Sequence, residues 1–254
     1  MQVLVCVKRV PGTGSSITLT DDGQAVDTRH LGFTIGPHEE CAVEEAVRIV
    51  AEHGGAVTVL TVGGPESDEQ LRYALSMGAD AAVRVEAGLS EPDPQATAAA
   101  IVHAIKELEV DGSKFDLVLF GNESADAGHY QVGIRVAQAH GLPIAGGIKH
   151  LELSDDGQVK LRRQVRDGFE VYAAALPAAA AVLEGLNLPR YPSMRGRLRA
   201  KKAQIRIVSA GVAEGGLRKL RLRLPPAEKL SETTILGKGP EAAPAVVDLL
   251  EELL

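Results

Sequence analysis

Through its first half the chain alternates short apolar runs with longer segments whose apolar residues recur at helical spacing, and few folds accommodate that pattern. It predicts a parallel sheet covered by helices on both faces. The expected strands are Val3 to Val7, Val57 to Leu60, Ala82 to Val85 and Leu117 to Phe120. The expected helices are Pro37 to His53, Glu66 to Met77, Pro94 to Leu108 and His129 to His140, the last stopped by Gly141 and Pro143. After Ile148 the texture changes to alternating strands at His150 to Leu153, Val159 to Val165 and Phe169 to Ala175. Turns at Asp155-Asp156-Gly157 and Asp167-Gly168 join these into antiparallel hairpins. Ala178 to Leu183, made of small apolar residues, reads as a buried strand. The domain division that follows is residues 1–208 as the α/β body and 209–254 as an extended arm. The arm, rich in glycine, proline and charge, closes in a short helix, Ala242 to Leu254, and has too few apolar residues to fold on itself, so its leucines are expected to dock on a partner surface.

Composition removes several classes of function. A formal charge of −7 opposes nucleic acid as a general partner, because phosphate neutralisation needs a broad cationic face. Aromatic residues make up 3% and tryptophan is absent, so there is no platform for base stacking. Cys6 and Cys41 show neither metal-ligand spacing nor a disulfide framework, which fits a reducing compartment. MQVLVCVKRV lacks the order and length of a secretory signal, and no run is long enough to span a bilayer. A cytoplasmic location is expected.

In an open α/β sheet the default ligand site is the crevice outside the carboxyl ends of the strands. Small and turn residues stand at these junctions: Pro11-Gly12, Gly63-Gly64-Pro65 and Gly121 to Gly128. The strongest candidate is GNESADAGHYQVG, Gly121 to Gly133, where glycines and a helix start let backbone amides receive an anion. Neither a Walker loop nor GxGxxG is present, which counts against triphosphate hydrolysis and ordinary dinucleotide binding. Glu39, Glu40, Glu44 and Glu45 crowd the start of one helix. They suit the helix dipole, and Glu44 can pair with Arg48 four residues on. Read as paired catalytic carboxylates they lack a histidine or metal-ligand constellation to work with. His38 either borders a ligand or is solvated, and His103 and His140 read as helix-surface residues. No acid–base set emerges.

Asn187 to Lys202, NLPRYPSMRGRLRAKK, gathers six cations without a carboxylate. Pro189 and Pro192 restrict the backbone and remove amide donors, so the segment reads as an exposed, stiffened loop with a short helical continuation. Met194 near its tip suits an adaptable protein contact; a merely solvated basic loop is the alternative.

Four motifs in register resemble the β subunit of the electron transfer flavoproteins, and the likeness covers the full chain. The most specific is Leu176 to Ile205, LPAAAAVLEGLNLPRYPSMRGRLRAKKAQI, similar to the family signature of LPAV, N-x-PRYPS and AKK. VKRVP at Val7 to Pro11, AVEEA at Ala42 to Ala46 and LRYALSMGAD at Leu71 to Asp80 follow the family order. The resemblance implies a Rossmann-like, adenine-nucleotide-hydrolase-like α/β fold. It implies a noncatalytic electron-carrier subunit, paired with an α subunit that carries most of a redox FAD site, and AMP as a structural nucleotide.

The implied cofactor-binding set begins with backbone around Cys6 and Val7, the turn Gly36, Pro37, His38 and Glu39, and Gly63. It continues through Asp126, Ala127, Gly128, His129, Tyr130, Gln131, Val132, Gly133, Ile134, Arg135, Val136 and Ala137. The implied docking set is Pro189, Arg190, Tyr191, Pro192, Ser193, Met194, Arg195 and Arg197, with Met194 as apolar anchor and the cations steering acidic partners. Those partners are acyl-CoA or related dehydrogenases, as in fatty acid oxidation, and a quinone oxidoreductase. The chain departs from the common pattern at Gly12, Gly36 and Val132, and in RQVRDGFE, where Gln164 and Arg166 replace the usual acids. The latter bears on contact with a mobile flavin domain. Other readings are an electron-bifurcating subunit with a second FAD in place of AMP, a universal-stress-type adenine-nucleotide sensor, and an adenylating enzyme. The sensor leaves PRYPS and the arm unexplained, and the enzyme wants an SGG-type loop that is not found.

Overall fold

In the computed structural model, β1 (Gln2–Cys6) is buried along nearly its whole length, as its unbroken apolar run requires of a central parallel strand. Its side chains alternate between two cores: Val3 and Val5 join one, Leu4 and Cys6 the other. The structure describes residues 1–12, 14, 16–88, 92–110, 113–154, 156–211, 215–225 and 234–253. Of the expected turn at Asp155-Asp156-Gly157, Asp155 lies outside these residues, as does Leu254 of the expected final helix.

In chain order β2 (Arg9–Pro11) and β3 (Phe33–Ile35) form a small antiparallel pair, followed by α1 (Pro37–His53), β4 (Ala56–Val62), a 3-10 turn (Pro65–Ser67) and α2 (Asp68–Met77). Next come β5 (Ala81–Glu86), α3 (Pro94–Leu108), β6 (Leu117–Gly121) and α4 (Val132–His140). The strands β7 (Ile144–Ser154), β8 (Gln158–Val165), β9 (Gly168–Ala175) and β10 (Ala178–Val182) lead into α5 (Met194–Lys202) and β11 (Ile205–Ser209). A 3-10 turn at Gly239–Ala242 precedes α6 (Ala243–Leu253).

Among the described residues the main sheet has nine strands in the order β11-β5-β4-β1-β6-β10-β7-β8-β9. Pairing is parallel from β11 through β7 and antiparallel across β7, β8 and β9. The expected helix-covered, mostly parallel sheet with appended hairpins is therefore present. Helices α1, α2 and α5 bury residues in the core on one face, and α3 and α4 in the core on the other. Each fully buried leucine or valine there contributes roughly 1.5–3 kcal/mol.

Three expectations need correction. The helix expected from His129 begins at Val132, because Gly128 (φ 55°) and Tyr130 (φ 63°) are left-handed and cannot sit in a right-handed helix. The helix expected from Glu66 starts as a 3-10 turn at Pro65 before α2 takes over at Asp68. His140 is a half-buried residue whose Nε2 lies 3.4 Å from Glu109 Oε2, whereas His103 is on the helix surface as expected.

By its internal contacts the chain groups into two units. One comprises Met1–Ser16 and Thr28–Arg218 and holds both apolar cores. The other comprises Ile17–Asp27 and Lys219–Leu254, where Leu222 N donates to Gly23 O and Leu19 bridges Val26. Among the described residues no helix is long and apolar enough to cross a membrane.

Candidate nucleotide crevice and docking segment

The chain leaves β1 for β4 and β5 on one side, then crosses to β6 on the other, so the carboxyl ends of β1 and β6 form the switch point of the sheet. The loop after β1 supplies Lys8 and the loop after β6 supplies Asp126. Lys8 Nζ meets Asp126 Oδ1 at 2.7 Å, linking the two sides of the crevice. Burial raises the Asp126 carboxyl, but the Lys8 hydrogen bond and charge, with Ser124 and the Ala127 amide, outweigh it and hold the group below the usual carboxylate range.

Gly36 and Pro37 begin α1, where proline costs no hydrogen bond because first-turn amides have no helical acceptor. Two residues later Glu39 is only 4% exposed, and its Oε2 has no hydrogen-bond partner among the described residues. A Cβ on Gly36 would stand 2.4 Å from Oε2, and one on Gly121 would stand 2.8 Å from Cδ. The two glycines thus leave the volume that this carboxyl fills. Burial pushes its pKa up to about 7 against the opposing pull of its own backbone amide and of Lys8.

Past β6, Asn122 is buried; its Oδ1 accepts from Gly147 N at 2.7 Å, while Nδ2 has no partner among the described residues. The chain then turns, with Gly128 N donating to Ser124 O at 3.0 Å. No side chain caps the start of α4, since Gln131 Oε1 is taken by Arg135 Nε at 2.8 Å. Its first-turn amides can therefore serve an anion. An open cavity of about 430 Å³ lies here, lined by Pro37, His38 and residues 123–128.

The expected site residues fall into distinct settings. Pro37 and His38 share the cavity lining with Asp126, Ala127 and Gly128. His129 and Tyr130 are exposed, Gln131, Val132 and Gly133 are half-buried, and Gly133 packs against the Phe120 ring. Ile134 and Arg135 lie on the outside of α4, whereas Val136 and Ala137 are fully buried in the core beneath it. Cys6 is buried toward α3 and α4, which drives its thiol pKa far up. The Val7 amide is taken by Leu60 O at 2.9 Å and the Gly63 amide by Val85 O at 3.1 Å, so neither is free for a ligand. Lys8 and Asn122 are polar groups of the crevice outside the expected cofactor-binding set, although Asn122 lies within the candidate segment Gly121 to Gly133. The signal was available for Lys8, a cation directly after a buried strand. Asn122 looks like any loop asparagine until Gly147 is placed against it. Among the described residues no cluster of three or more His, Cys, Asp or Glu is placed to hold a metal ion.

The basic segment is fixed to the body. Asn187 Nδ2 donates to Cys41 O at 3.0 Å and to Glu45 Oε2 at 2.7 Å, and Arg190 Nε donates to Glu44 Oε2 at 2.7 Å. Burial raises the Glu44 carboxyl, but hydrogen bonds from Arg190 and Arg48 outweigh it and leave it more acidic than usual. Ser193 Oγ accepts from Gly196 N and caps α5. Two arginines cap the packed helices reciprocally. Arg72 of α2 donates to Ala200 O and Ala203 O at the end of α5, and Arg199 of α5 donates to Leu75 O and Ala79 O at the end of α2.

Arg190 and Arg199 are therefore committed internally, Pro189 is half-buried and Pro192 is buried. Arg195 and Arg197 face solvent, the latter over the Tyr191 ring at 5.0 Å. Tyr191 and Met194 stand out at 84% and 72% exposure. At the hairpin, Gln164 is exposed opposite Phe169, and Arg163, Glu170 and Tyr172 hydrogen-bond one another, with Tyr172 Oη donating to Glu170 Oε2 at 2.6 Å.

The family model described as the electron transfer flavoprotein domain matches residues 25–213. The chain is 34% identical over 259 residues to the electron transfer flavoprotein subunit beta of Bacillus subtilis (strain 168), covering 98% of this chain and 97% of that protein. It is 35% identical to the protein of the same name from Syntrophomonas wolfei subsp. wolfei over 230 residues, 90% of this chain and 87% of that one. The subunit beta of Mycobacterium tuberculosis (strain H37Rv) is 33% identical over 247 residues, 95% and 89% of the two chains.

Proposed function

Because this chain belongs to the electron transfer flavoprotein family as a β subunit, we propose that it acts in the cytoplasm as half of a heterodimer whose α subunit holds most of a redox FAD. FAD, when bound, supplies the electron chemistry. This chain positions the carrier: it receives electrons from acyl-CoA or related flavin dehydrogenases and delivers them to a quinone oxidoreductase, with no catalytic residues of its own. The crevice between β1 and β6 takes AMP as a structural nucleotide. The uncapped amides at the start of α4, the partnerless Glu39 oxygen and the 430 Å³ cavity suit a compact polar ligand of that class.

The observation that carries the docking role is the contrast within residues 187–202. Part-buried hydrogen bonds tie Arg190, Asn187 and Arg199 to the body, yet Met194 and Tyr191 are left bare beside solvated cations. Rigid backbone with an exposed apolar tip is how a contact surface gains hold without a large ordering cost. Gln164 and Arg166 on the hairpin weaken or rewire contact with the flavin-bearing domain of the partner.

The test is co-expression with the α chain and identification of the released nucleotides. One FAD and one AMP per heterodimer is expected. Two FAD would point to a bifurcating carrier, and a stable ATP-bound homodimer would reject the reading. In the same preparation Met194→Ala is expected to slow electron acceptance from the dehydrogenase with flavin content unchanged; lost FAD would make the loop structural.

A further inference from the structure

Glu39 is a carboxyl placed where a charge is costly, and among the described residues its Oε2 has no hydrogen-bond partner. The carboxyl lies against Gly36 and Gly121, close in sequence to the segments 37–38 and 123–128 that line the cavity. The charged groups that act on it are Lys8 from the loop after β1, Asp126 from the loop after β6 and Glu40 on its own helix; Gly36 and Gly121 present no side chain. Lys8 is held by Asp126 at the surface, so an anion entering the adjoining cavity must compete with that carboxylate for the ammonium. The anion also brings negative charge toward Glu39. An ionised Glu39 would repel it, whereas a neutral one would not.

We propose that Glu39 makes anion binding in this crevice proton-linked: a nucleotide phosphate is taken up with Glu39 in its neutral acid form, while Lys8 passes from Asp126 to the phosphate. The proposal rests on the reading of the crevice as a nucleotide site and adds its regulation by pH. Burial already brings the Glu39 carboxyl close to neutrality, so the linkage operates where cells live. Its sign follows from the proton count. The bound state holds more protons than the free state above neutral pH, so affinity falls as pH rises, approaching tenfold per pH unit there.

Calorimetric titration of AMP into the nucleotide-stripped full chain at pH 7.5, in two buffers of different ionisation heat, reads the proton directly. The wild type is expected to take up a fraction of a proton per AMP bound, and Glu39→Gln, which keeps a donor of similar shape but cannot ionise, much less. The second ionisation of the phosphate itself, near pH 6, is common to both proteins and cancels in the comparison. Lys8→Met is expected to lower affinity while proton uptake persists. Equal uptake by the wild type and Glu39→Gln would overturn the proposal, as would no uptake by the wild type, an outcome that needs no variant to fold. Failure of AMP to bind either protein would instead overturn the nucleotide reading, and the proposal with it.

Discussion

Glu44 shows how one side chain couples two distant motifs. It is 3% exposed and receives Arg48 Nε at 2.8 Å and Arg190 Nε at 2.7 Å. The first partner is four residues along the helix and was readable from spacing alone. The second lies 146 residues away and was not, because only the fold brings AVEEA beneath the proline-rich loop. Breaking a buried pair leaves its remaining member uncompensated. Here Arg190 is partly solvated, so the cost is moderate. Glu44→Gln is expected to lower stability at pH 7 by about 1–3 kcal/mol, measured by urea unfolding. The pH dependence has a definite sign. The folded carboxyl is more acidic than the unfolded one, so its contribution is full above the unfolded value of about 4.3 and fades as pH falls through the folded value. The gap between wild type and variant should therefore close in acid. A gap that persists unchanged at low pH would assign the loss to packing instead of charge.

Among the elements, α5 shows a dependence on close fit. It crosses α2 so closely that a Cβ on Gly196 would stand 2.4 Å from Ser76 O, a backbone atom that cannot swing aside. Gly196→Ala must push the helices apart and strain both arginine caps, at a cost of about 1–3 kcal/mol. Chemical denaturation would measure that loss, and slower reduction by the dehydrogenase would show that Met194 is no longer presented. Full stability in the variant would mean that α2 and α5 have slack. The central strands were legible because long apolar runs can only be buried, and the observed β4, β5 and β6 extend the expected ones by no more than two residues at either end. The pair β2 and β3 was missed because three-residue strands have no period to read. β11 was missed for another reason: Ile205–Ser209 gains its identity from its parallel neighbour β5, not from its own pattern. In the crevice, the glycine-rich loop announced itself, while the buried setting of Glu39 depended on two glycines far apart in sequence.

At the scale of the molecule, burial is unevenly shared. The residues of both apolar cores belong to the unit formed by Met1–Ser16 and Thr28–Arg218. In the other unit α6 buries none of its residues, and Val246, Val247, Leu249, Leu250 and Leu253 are exposed. A helix of 11 residues is too short to be stable by propensity alone, and its apolar side chains gain nothing from water. On the proposed reading, this face packs on the α subunit, as expected for the arm after Ser209. A chain ending at Arg218 is accordingly expected to keep the unfolding transition of the main unit, since it loses no core residue, yet to fail to co-elute with the α subunit on size exclusion. Retained co-elution would mean that the sheet and α5 suffice for assembly. A truncated chain that no longer folds would instead make the last 36 residues part of the scaffold, contrary to the division of burial on which the expectation rests.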